Sequence, residues 1–138
     1  MENDLTESSD HRGRDRAVLA ARAAAEKLGT DTVALHVGEV LAIVDWFVIT
    51  SGRNERQVRT IAEEVEARLK AAEGAGPLRK EGFDDARWVL LDYGDVVVHV
   101  FLDEVREYYS LERLWSDVAR LDWEDDAEQS APRRAAND

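Results

Sequence analysis

The sequence predicts an α+β domain in the order αββαβββα, a mixed sheet of about five strands with helices packed on at least one face. Three observations predict it. Two segments repeat apolar residues at helical spacing, Val18-Ala21-Ala25-Leu28 and Val58-Ile61-Ala62-Val65-Leu69-Ala72. Between and after them stand short runs rich in β-branched and aromatic residues. Tyr93-Gly94 divides two of those runs, as in a tight hairpin.

The first helix is expected over 16–28, where alanines give high propensity and a thin face, with Gly29 as its stop. A strand follows over 32–37, with Val33, Leu35 and Val37 on one side. After Asp45, Trp46-Phe47-Val48-Ile49-Thr50 is apolar on both faces and belongs inside the sheet. Ser51-Gly52-Arg53-Asn54 turns into the longest helix, where Asn54 and Gln57 have capping-box spacing. Gly74, Gly76 and Pro77 end that helix, and a short strand is expected over 78–81. Residues 88–92 and 95–101 form the hairpin, its positive φ supplied by Gly94. Two helical pieces close the domain, over 103–108 and 111–121, the second capped by Ser110 with Glu112 near its positive end.

The chain has 138 residues, a length for one domain, and no cysteine. That excludes a disulfide framework and thiolate zinc sites, and fits a reducing compartment. No apolar run approaches a membrane span, and residues 1–15 resemble neither a secretory nor a transit signal. A cytoplasmic protein with no membrane partner is expected. The net charge is −12; residues 1–15 hold −3 of it and residues 122–138 hold −4. Both ends read as disordered tails around a domain at 16–121. So negative a chain is repelled by phosphate backbones, so little direct nucleic-acid binding is expected, and basic proteins are favoured partners.

Catalytic signals are weak. His11, His36 and His99 are far apart, and nothing has the spacing of HExxH, an EF-hand or a cysteine-histidine zinc site. His99 alternates with Val97 and Phe101 and reads as a packed, hydrogen-bonded histidine. Paired acids such as Glu63-Glu64 or Asp103-Glu104 read as solvated helix faces. Ser51-Gly52 before a helix could face an anion, but it lacks both nucleotide-loop fingerprints, and simple helix entry explains it. No cofactor or metal is implied.

Aromatic placement is the nonrandom feature. Eight of ten aromatic residues fall in 83–123, interleaved with acids. Tyrosine and tryptophan dominate binding hot spots. The candidate partner-binding residues are Glu81, Trp88, Asp92, Tyr93, Asp95, Tyr108 and Tyr109. Core packing competes with this reading for Trp88, Tyr108 and Tyr109, whereas Tyr93 at a hairpin tip is expected to be exposed. A free strand edge and the long amphipathic helix would also suit a homodimer.

Three segments carry a resemblance. Asp45-Trp46-Phe47-Val48-Ile49-Thr50-Ser51-Gly52 resembles the D-[YW]-F-V-I-x-S-G segment of the Iojap-like ribosomal silencing factor family. Glu81-Gly82 with residues 88–101 is similar to its second signature. Arg106-Glu107-Tyr108-Tyr109-Ser110-Leu111-Glu112-Arg113-Leu114-Trp115 is similar to its closing R-x-[FY]-Y-x-L-E-x-L-W. Trp46 and Tyr108 replace the commoner tyrosine and phenylalanine, keeping the ring. The resemblance implies a bacterial factor that docks on the large ribosomal subunit through ribosomal protein number fourteen. Docking there would block subunit joining and lower translation when nutrients fail, with a further role in large-subunit maturation. It also implies a nucleotidyltransferase-like topology without a known reaction. After Ser51-Gly52 no strand carries the D-h-[DE] pair that would hold magnesium, so a non-enzyme is expected. The alternatives are an enzyme of that fold or a large-subunit assembly adaptor.

Overall fold

A computed structural model describes residues 2–124. The order is α1 (Glu2–Glu26), β1 (Thr30–His36), β2 (Trp46–Gly52), α2 (Glu55–Glu73), β3 (Arg79–Glu81), β4 (Trp88–Asp92), β5 (Val96–Leu102) and α3 (Asp103–Tyr109). Short 3-10 turns occupy Val37–Glu39 and Leu111–Trp115. The five strands form one mixed sheet in the order β1-β2-β5-β4-β3, in which only β2 and β5 run parallel. The expected element order therefore holds.

Strand alternation divides the core in two. Trp46, Val48 and Thr50 of β2 and Val96, Val98 and Val100 of β5 turn toward α1 and α2 and are buried. Val58, Ile61, Ala62, Val65 and Leu69 of α2 meet them, as their spacing predicts. Ala17, Ala20, Ala21 and Ala24 let α1 lie close to α2 and β2. At the turn after α1, a Cβ on Gly29 would sit 2.4 Å from Thr50 Oγ1, so only glycine fits that approach. Phe47, Ile49, Val97, His99, Phe101 and Trp88 lie on the opposite face, beneath α3 and the 3-10 turn.

Local signals at the turns held. Asn54 Oδ1 accepts from Gln57 N at 2.8 Å, and Gln57 Oε1 accepts from Arg53 N at 2.7 Å. Gly94 takes φ 94°, and Asp92 Oδ1 accepts its N–H. Three boundaries differ from expectation. α1 begins at Glu2 rather than 16, and Gly13 is already buried, where a Cβ would lie 3.2 Å from Asp95 Oδ2 and 3.5 Å from the Trp46 ring. Its polar N-terminal turns carry no apolar stripe for a periodicity reading to find. Leu28, expected on the buried face, is 72% exposed, because the helix closes at Glu26 and Leu28 itself adopts φ 65°.

The expected last helix is the third difference. Only Leu111–Trp115 is helical there, as a 3-10 turn, and Ser110 makes no side-chain cap. The chain then extends along the outer edge of β1. His36 N donates to Ala119 O at 2.8 Å, and Leu121 N donates to Ala34 O at 2.9 Å. Trp123 Nε1 donates to Thr32 O at 3.0 Å, so the ordered body reaches past the expected boundary at 121. The acidic run from 125 onward lies outside the described residues.

Candidate functional site

β4 and α3 build the site. In β4, Trp88, Leu90 and Asp92 face one way, while Val89 and Leu91 face the helices and are fully buried. Trp88 is partly buried, with ring centroids 4.7 Å from Phe101 and 5.2 Å from Tyr109. Its Nε1 donates to His99 Nδ1 at 3.1 Å. His99 is thus a packed, hydrogen-bonded core histidine, 4% exposed, and burial lowers its pKa to about 4. With Nδ1 accepting, the neutral ring carries its proton on Nε2, which is buried without a partner.

α3 is anchored from below. Arg106 Nη1 donates to Thr30 O at 2.9 Å and Ser51 Oγ at 3.1 Å. Its Nη2 donates to Asp31 O and to Glu112 Oε2, both at 2.7 Å. Burial alone would raise the Glu112 carboxyl, but the Arg106 hydrogen bond and charge outweigh it and hold the pKa down. This clamp turns Tyr108 and Tyr109 outward, 80% and 55% exposed, their rings edge to face at 5.0 Å. Between α3 and β4 opens a cavity of about 410 Å³, lined by Arg87, Trp88, Glu104, Val105, Tyr108 and Tyr109.

The structure divides the seven expected residues. Trp88, Tyr108 and Tyr109 come together at this cavity. Glu81 is exposed on edge strand β3, opposite Leu90 and so on the Trp88 face. Asp92 shares that face but stands about 13 Å along the strand from Trp88, and its carboxylate is occupied by Gly94 N and by Arg79 at 3.7 Å. Asp95 belongs to the helix side, paired with Arg16 at 2.6 Å. Tyr93 is corrected outright: it is 7% exposed and part of the core. Alternation explains it, since residue 93 follows Asp92 onto the face of Val89 and Leu91. Burial, reinforced by the Glu66 and Glu73 carboxylates, pushes its phenol pKa up. Leu114, 77% exposed, and the cavity residues Arg87 and Glu104 were missed. Glu104 stands one turn from Tyr108, a spacing that could have found it.

The model of the family described as "Ribosomal silencing factor during starvation" matches residues 10–138. This chain belongs to the ribosomal silencing factor family. It is 44% identical over 105 residues to ribosomal silencing factor RsfS of Bacillus subtilis, covering 75% of this chain and 87% of that one. A mouse relative named mitochondrial assembly of ribosomal large subunit protein 1 is 33% identical over 62% of this chain and 39% of its own. Among solved structures, a Chromobacterium violaceum protein superposes with a TM-score of 0.71 at 36% identity, covering 75% of this chain and 85% of that one. A Bacillus halodurans protein gives 0.65 at 40% identity, covering 75% and 93%. The α+β fold is therefore that of the family. Among the described residues, no helix is long and apolar enough to cross a membrane, and no group of three acidic or histidine side chains could hold a metal ion.

Proposed function

We propose that this silencing factor docks on the large ribosomal subunit through ribosomal protein number fourteen and excludes the small subunit, lowering translation when nutrients are limiting. The observation that carries the reading is the outward aromatic pair Tyr108 and Tyr109 beside Trp88, on a helix whose exposed carboxylates Asp103, Glu104 and Glu107 suit a basic protein. The mechanism needs no chemical step. A body of this length is about 35 Å across. Placed on an intersubunit surface, it keeps the two faces from meeting, and its potency follows its affinity and occupancy. Large-subunit assembly is a second reading, favoured by the name of the mouse relative.

Tyr108→Ala tests the surface, because a side chain 80% exposed can be removed without opening the core. Its melting temperature should match the wild type. Its affinity for isolated large subunits should fall about thirtyfold, the effect of losing one hot-spot anchor. Subunit joining, followed by light scattering, should recover in parallel. Unchanged inhibition by Tyr108→Ala and by Tyr108→Ala/Tyr109→Ala would place the docking surface elsewhere.

A further inference from the structure

We propose that Lys27, Arg53 and Arg56 form a cationic cleft that takes RNA phosphates beside the protein-docking face; the proposal rests on the silencing-factor reading above. The cleft is a shallow, open depression of about 320 Å³ between the end of α1 and the start of α2. All three cations are exposed, and no carboxylate lines the cleft. Nearby Glu26 is turned to Arg68. Several other arginines are engaged: Arg16 by Glu73 and Asp95, Arg106 by Glu112, Arg59 by the carbonyls of Phe83 and Asp84. Among the described residues, no ion pair engages Lys27, Arg53 or Arg56.

The frame beneath them is fixed. Gln57 Nε2 donates to Lys27 O at 3.2 Å and Leu28 O at 3.1 Å, pinning the two helix ends together. The amides of Gln57, Val58 and Arg53 are already used within the turn, by Asn54 Oδ1, Asn54 O and Gln57 Oε1. The three side chains supply the cleft's formal positive charges.

Position selects the ligand. Gly52, just before Arg53, pairs with Leu102, just before Asp103 of α3. The cleft and the aromatic cavity thus leave the same end of the sheet, toward opposite faces. One side carries carboxylates among tyrosines and fits a basic protein. The other has a cleft lined by Lys27, Arg53 and Arg56 and by no carboxylate, with exposed Glu55 outside the lining, and fits the phosphates of RNA. A particle made of protein and RNA offers both within one footprint. The chain's net −12 opposes binding at random along RNA, so the cleft engages once the aromatic side has fixed the orientation.

The test compares the full chain with a Lys27→Gln/Arg53→Gln/Arg56→Gln variant. Affinity for isolated large subunits is measured by co-sedimentation from about 50 to 200 mM salt. Loss of three phosphate contacts should lower the slope of log affinity against log salt by about 2, so the wild type loses about sixteenfold more affinity across that range than the variant. Tyr108→Ala should bind weakly at every salt with the wild-type slope. A photo-crosslinker placed at Thr60, on the cleft wall, should capture RNA. A triple variant with wild-type slope and affinity, while Tyr108→Ala is impaired, overturns the cleft alone. Crosslinking only to protein does the same. A wild-type chain that does not bind large subunits overturns both readings.

Discussion

Replacing His99 by asparagine should remove much of the domain's acid sensitivity between pH 7.5 and 5. The folded ring titrates near 4 instead of 6.5 because it is buried among Phe47, Trp88 and Phe101. A second cost arises on protonation. Nδ1 would gain a hydrogen facing the Trp88 Nε1 hydrogen across 3.1 Å, turning a hydrogen bond into two opposed donors. Between these two pKa values the unfolded chain binds more protons than the folded one, so stability rises with pH. The contribution is full above pH 6.5 and gone below about pH 4. It amounts to about 3 kcal/mol overall, of which about 2 kcal/mol is lost by pH 5. Asparagine does not titrate, and its amide oxygen can still accept from Trp88. Urea unfolding at pH 7.5 and 5 should show the wild type losing about 2 kcal/mol more than His99→Asn. Carboxylates titrate in both proteins and cancel. Equal losses would refute the argument, as would an NMR titration of His99 near 6.5.

Tyr93→Ala should destabilise by about 3–5 kcal/mol in urea unfolding, as for a large core ring, whereas Tyr93→Phe should be neutral or stabilising because the buried hydroxyl has no partner. Large-subunit affinity of the folded Tyr93→Phe protein should equal that of the wild type. Arg106→Met should cost about 2–3 kcal/mol by the same measurement, since it strands the partly exposed Glu112 carboxylate, buried Ser51 Oγ and two part-buried carbonyls. It should also weaken ribosome binding, because α3 loses its clamp.

The strands and α2 were legible because one physical rule governed each. Runs of β-branched and aromatic residues set β2, β4 and β5, the 3.6-residue stripe set α2, Asn54 and Gly74 marked the ends of that helix, and Gly94 marked the hairpin turn. Less of the site was legible. Exposure at Tyr108 and Tyr109 depends on Arg106, which reaches Thr30 and Asp31 across more than seventy residues of sequence. No local pattern encodes that clamp. Tyr93 is a different kind of error. Counting in twos from Val89 would have placed it with Leu91 in the core, but its position at a tip outweighed the count. At the C-terminus, Leu111, Trp115 and Val118 have helical spacing yet pack through a 3-10 turn and an extended segment. Hydrogen bonds to β1 replace those a helix would have made within itself.

The segment along β1 has a consequence for self-recognition. An edge strand is a template: its unpaired amides and carbonyls invite a stranger's strand, and cross-β growth starts from such invitations. Here Ala119, Leu121 and Trp123 occupy the groups of His36, Ala34 and Thr32, and Arg106 takes the carbonyls of Thr30 and Asp31. The chain thus answers its own most vulnerable edge from Thr30 to His36. Prying residues 119–123 away would expose the edge of a seven-residue strand to pairing with another strand.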